Sequence, residues 1–143
     1  MTNEIHLASA SRALRHVFLR DMVLLASVGV YAFEHETRQR VRVNVDLAVE
    51  DDGAQPLSRR AVGRDDLSRV VDYEHLAKAV RAIVAAGHVR LVETLAERIA
   101  EACFDDERVR VARVRVEKLD IFSDTEAVGV EIERLAPRPP RGG

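Results

Sequence analysis

Lysine is scarce in this sequence: of its 22 basic residues 20 are arginine, and only Lys78 and Lys118 are lysine. Cysteine is scarcer, and the single Cys103 excludes an intrachain disulfide. Its place on the apolar stripe of a helical pattern predicts a buried, inert thiol, which suits a reducing cytoplasm. No apolar run approaches the ~20 residues that span a bilayer. The opening MTNEIHLASASRALRH lacks the continuous apolar stretch of a signal peptide, so neither membrane nor export is expected. The histidines, His6, His16, His35, His75 and His88, have neither the i, i+4 nor the cysteine-paired spacing of a zinc site. No metal is therefore assigned, and with neither a P-loop nor a GxGxxG turn no cofactor is expected. A net charge of −2 with acids and bases interspersed lacks the footprint of a nucleic-acid binder. The arginines of RQRVRV and RVRVARVRV occupy the outward phase of strands, as on a solvated sheet face.

What is present is an ordinary globular composition, 47% hydrophobic and 32% charged over 143 residues, enough for one domain with its own core. Residues 17–31, VFLRDMVLLASVGVY, read as a strand reaching toward Gly29, and a polar turn, FEHETRQ, follows. From Gln39 to Glu50 the chain alternates, with Val41, Val43, Val45, Leu47 and Val49 on one side. A Gly-, Pro- and charge-bearing loop then covers about residues 51–64. Asp72 is positioned to cap a helix carrying Leu76, Val80, Ile83 and Val84, with Gly87 ending it. A second helix follows, with Val92, Leu95, Ala96, Ile99 and Cys103 as its buried stripe. It starts either near Leu91 or at a Thr94/Glu97 capping box. A strand from about Val109 changes phase between Val111 and Ala112, which predicts a bulge, and AVGVEIER forms the last strand. The expected fold is α+β: an antiparallel four-stranded sheet in ββααββ order with two helices on one face. The domain is expected over 16–135, flanked by a disordered leader 1–15 and tail 136–143. Its two exposed sheet edges invite oligomerisation.

Against this pattern four polar residues stand out. In VARVRVEKLDIF the apolar phase runs Ala112, Val114, Val116 and then Lys118, where another valine is expected. A lysine amine exchanges protons when partly dried, which a guanidinium does not, although a strand-end lysine also commonly snorkels to water. Tyr73 opens the first helix and Glu93 interrupts LVETL near the start of the second, where the helix dipole favours a carboxylate. Glu34 lies in the turn after VGVY. Packing of the tyrosine ring and solvation of the two glutamates are the simpler readings, and no spacing rule links the four into a catalytic set.

The run VGVYAFEHETRQRVRVNVDL, then DDLSRVVDYEHL, LVETLAERIA, VRVEKLD and AVGVEIER, resembles dihydroneopterin aldolase over about Phe18 to Arg134. The resemblance implies the tunnelling fold, in which sheets from several subunits join into a barrel. It also implies a homo-oligomer, a tetramer or an octamer, with active sites between subunits. The substrate would be a pterin, cleaved at a carbon–carbon bond to hydroxymethyl-dihydropterin and glycolaldehyde without metal. By the same resemblance Glu93 clamps the pterin's neighbouring N–H donors with backbone help at Val92, and Glu34 contacts the substrate and its hydroxylated tail. Tyr73, from an adjacent subunit, binds substrate and takes part in proton transfer, and Lys118 is the proton donor or acceptor. Such an amine works best with its pKa lowered toward neutrality from ~10.4 by partial burial. Leu119 after the lysine is more like dihydroneopterin triphosphate epimerase, a relative on the same fold. A non-catalytic pterin-binding protein is the other alternative.

Overall fold

The computed structural model describes residues 7–53 and 63–137. Four antiparallel strands, β1 (Leu14–Ala26), β2 (Gln39–Glu50), β3 (Val109–Lys118) and β4 (Val128–Leu135), lie side by side in sequence order. Three helices join them: α1 (Ala32–Glu36), α2 (Tyr73–Ala85) and α3 (Val92–Cys103), with a 3₁₀ turn at Leu67–Arg69. The α+β antiparallel sheet is as expected, but the order is not simply ββααββ. α1 overlaps the start of the FEHETRQ turn and is a single helical turn in which the Glu34 carboxylate folds back toward the Tyr31 N–H at 3.4 Å. That is the N3 half of a capping box, and it lets so short a segment close.

The alternation of β2 has its physical cause in the register. Val43 faces Met22 and Val116, Val45 faces Leu19 and Val114, and Leu47 faces Val17 and Ala112. These apolar rows, with Val130 and Ile132 of β4, lie under α2 and α3, which bury Leu76, Val80, Leu95, Ala96, Ile99 and Cys103 against them. Each fully buried Val or Leu here contributes roughly 1.5–3 kcal/mol. The opposite face carries cross-strand ion pairs, Arg42 with Glu117 and Arg113 with Glu133 among them. It is the solvated face that the RVR patterns indicate. Asp72 caps α2 by accepting from the Glu74 N–H, and Gly87 follows its end at φ +131°. Leu91 is the N-cap residue of α3, so the earlier of its two expected starts is the one formed.

Three boundaries differ from expectation. β1 begins at Leu14 and stops at Ala26, short of Gly29, because Val28 leaves β2 to bridge Val89 in parallel. Within the expected leader, Leu7 is buried and Ser9 exchanges backbone hydrogen bonds with Leu14; residues 1–6 lie outside the described residues. So do residues 54–62 of the long loop and 138–143 of the tail, while the Ala136 N–H donates to the Arg110 carbonyl. The β3 irregularity falls at Arg110, the extra residue between Val109 and Val111, just before the expected place. A second, at Arg20–Asp21 of β1, is closed by Asn44, whose side chain accepts from the Asp21 N–H at 2.8 Å.

Candidate active site

Lys118 lies directly across from Val41 on one side and Val128 on the other, so it occupies the helix-covered, apolar face of the sheet. Its side chain does not snorkel away. It is 16% exposed, and its Nζ donates to Glu34 Oε2 at 2.8 Å. Glu34 reaches this point from α1, which ends just before β2 begins. At 4% exposure it is the sole buried charged residue among those described, so the reading of a solvated turn glutamate does not hold.

The carboxylate is held by several groups at once. Gln39 Nε2 donates to Glu34 Oε2 at 3.0 Å and to the Val28 carbonyl at 2.7 Å. Burial pushes the Glu34 carboxyl upward, while the hydrogen bonds from Lys118, Gln39 and the Tyr31 backbone and the Lys118 charge pull it down; the net effect lies below its ordinary value. Gly29, at φ +142°, lies against the same carboxylate, and a Cβ there would overlap it. Sequence reasoning missed Gln39 and Gly29. Gln39 was detectable: it lies in the phase of Val41 and Val43, at the start of its strand, as Lys118 lies at the end of its own. Gly29 carries no such signal, because its neighbour Glu34 comes from a separate helix.

The remaining expected residues lie on helix starts. Val92 and Glu93 form the first turn of α3, whose N-cap, Leu91, has no side chain that accepts from it. The first N–H groups of the helix therefore lack a side-chain cap, and such groups, with the dipole, suit an acceptor-bearing ligand. Beside them is an open concavity of about 650 Å³, lined by Val30, His88, Arg90, Leu91 and Thr94. Tyr73 opens α2 with 66% of its surface exposed. Among the described residues no hydrogen bond joins Tyr73 or Glu93 to the Glu34–Lys118 pair. A larger concavity of about 780 Å³ lies elsewhere, between the 3₁₀ turn, α2 and the end of α3, and neither concavity is lined by Glu34, Tyr73, Val92, Glu93 or Lys118. Cys103 is buried, donates to the Ile99 carbonyl, and is pushed up to about 12 by burial, as an inert thiol would be.

A family model described as FolB, dihydroneopterin aldolase, matches residues 17–133. The chain belongs to the dihydroneopterin aldolase family. It is 38% identical to the dihydroneopterin aldolase of Streptomyces coelicolor over 104 residues, covering 73% of this chain and 82% of that one. With the Bacillus subtilis dihydroneopterin aldolase it shares 36% over 121 residues, 82% of this chain and 95% of the other. Among solved structures, a Burkholderia dihydroneopterin aldolase bound to guanine superposes with a TM-score of 0.72 at 35% identity, covering 92% and 98% of the two chains. The Escherichia coli dihydroneopterin aldolase in complex with neopterin gives 0.71 at 26%, covering 84% and 98%.

Proposed function

We propose that the Glu34–Lys118 pair is the proton-handling centre of an aldolase site. The chain is a carbon–carbon lyase of folate biosynthesis, cleaving dihydroneopterin to hydroxymethyl-dihydropterin and glycolaldehyde. The reaction removes a proton from the hydroxyl on the carbon that leaves. As that C–O becomes a carbonyl, the adjacent carbon–carbon bond breaks and its electron pair enters the ring C=N. A proton then returns to the carbon that remains. The substrate holds its own electron sink, so the protein must supply a grip on the ring and a proton carrier.

Glu93 and the Val92 backbone at the uncapped start of α3 provide the grip, since a carboxylate with two acceptor oxygens matches adjacent ring N–H donors. Lys118 carries protons, and Glu34 orients its amine and meets the hydroxylated tail. Tyr73 completes the site from a neighbouring subunit of a homo-oligomeric barrel. Its exposure supports this arrangement, as do the open edges at β1 and β4 and the stacked Tyr31 and Phe33 rings on the surface. The observation that carries the reading is the buried amine–carboxylate pair at a sheet end. Replacing Lys118 with Ala is expected to abolish glycolaldehyde release, by about 100-fold or more, while neopterin affinity changes little. Turnover is expected to persist under chelator, and epimerisation of the triphosphate assayed in parallel separates the epimerase. Loss of ring binding with Lys118, or triphosphate epimerisation without glycolaldehyde release, would refute the assignment.

A further inference from the structure

The joint between the two halves of this site is a histidine. Lys118 and Glu34 belong to the sheet end and α1, whereas Val92 and Glu93 belong to α3, and the chain between α2 and α3 meets the segment following β1 at His88 and Val89. The contact there is double. In the backbone, the Gly29 N–H donates to the Val89 carbonyl at 3.0 Å and the Val89 N–H donates to the Ser27 carbonyl at 3.2 Å. In the side chain, His88 Nε2 is 2.8 Å from the Gly29 carbonyl oxygen and Nδ1 is 2.6 Å from Ser27 Oγ. A carbonyl oxygen only accepts, so Nε2 carries the hydrogen, and in the neutral ring Nδ1 accepts from the serine hydroxyl. The other side of the ring meets His35 of α1, with centroids 3.6 Å apart.

We propose that His88 is a positioning residue for catalysis, setting the start of α3 against the Glu34–Lys118 pair. The Gly29 it holds is the surface on which the Glu34 carboxylate rests, and the His35 it stacks on is Glu34's neighbour in α1. A shift of the Ser27–Gly29 segment therefore moves the carboxylate that orients the Lys118 amine. The ring grip at Val92 and Glu93 is local to α3 and does not need His88 to bind. His88 thus governs turnover more than ring affinity.

This inference rests on the aldolase reading, so the experiment carries one readout independent of activity. The full chain is compared as wild type, His88→Ala, His88→Gln and Ser27→Ala. His88→Ala is expected to lower kcat by about 10- to 100-fold, the scale on which a displacement of about 1 Å acts, with neopterin affinity within about threefold. His88→Gln recovers most of that loss, because its amide can donate to the Gly29 carbonyl. In parallel, an NMR titration follows the Glu34 carboxyl, which moves toward its ordinary range in His88→Ala and returns in His88→Gln. If His88→Ala does not fold, Ser27→Ala decides, with a drop in kcat of about three- to tenfold expected. An unchanged kcat with an unmoved Glu34 titration overturns the proposal, as does equal impairment of the Ala and Gln variants. Wild type that releases no glycolaldehyde overturns the function instead, and the Glu34 titration then still decides the role of His88.

Discussion

A carboxylate with 4% of its surface exposed keeps its charge only while its partners stay in place. The folded Glu34 titrates below its ordinary value of 4.5. The stability it contributes is therefore fully present above that value and is lost as pH falls through the lower folded one. Glu34→Gln is expected to cost about 2 kcal/mol at neutral pH. Denaturant melts should show the gap between variant and wild type closing below about pH 4; a gap independent of pH would contradict the ion pair. Two glycines provide a second test. Gly29 and Gly87 both have φ in the left-handed half of the map, at +142° and +131°, but only Gly29 abuts a side chain, since a Cβ on Gly87 meets nothing. Alanine at either position should cost about 1–3 kcal/mol in backbone strain. Only Gly29→Ala should also lose turnover, because it displaces Glu34, and equal kcat in the two variants would argue against that contact.

At the scale of elements, local chemistry decides where each helix begins and therefore where Tyr73 and Glu93 stand. α2 has a side-chain cap in Asp72, and Arg108 fastens the preceding segment by donating to the Ser68 and Val70 carbonyls at 3.0 and 2.9 Å. Asp72→Ala should destabilise the fold by about 1 kcal/mol and Asp72→Asn by much less, measured as the shift in the unfolding midpoint. Equal losses would mean that the carboxylate's charge, rather than its acceptor oxygen, holds the helix start. α3 has no such cap, and its N-cap residue Leu91 lines the concavity beside the site. An uncapped start is a cost to the helix that a bound ligand can offset.

For the molecule as a whole, the sheet among the described residues has β1 and β4 as its edge strands. β1 presents Val23 and Leu25 at 50% and 60% exposure, and β4 ends on Leu135 at 72%. Apolar edges of this length favour pairing with another copy. Sedimentation at micromolar concentration is expected to give an oligomer, and Leu25→Lys or Leu135→Lys to shift it toward the monomer with loss of turnover. A fully active monomer would remove the intersubunit role proposed for Tyr73.

Strand alternation, the capped α2, the buried Cys103 and the anomaly of Lys118 were all legible in the chain, because periodicity and capping act between near neighbours. Gln39 carried the same anomaly in the phase of its strand. What the chain alone did not reveal was the partner of Lys118, the short helix that delivers Glu34, or the reason for Gly29. Nor did it show the imidazole that joins β1 to α3. These depend on segments distant in sequence meeting at one end of the sheet: Glu34 meets a lysine from β3, and His88 meets Ser27, just past the end of β1. Only packing brings such groups within hydrogen-bond range, since each is unremarkable among its own neighbours.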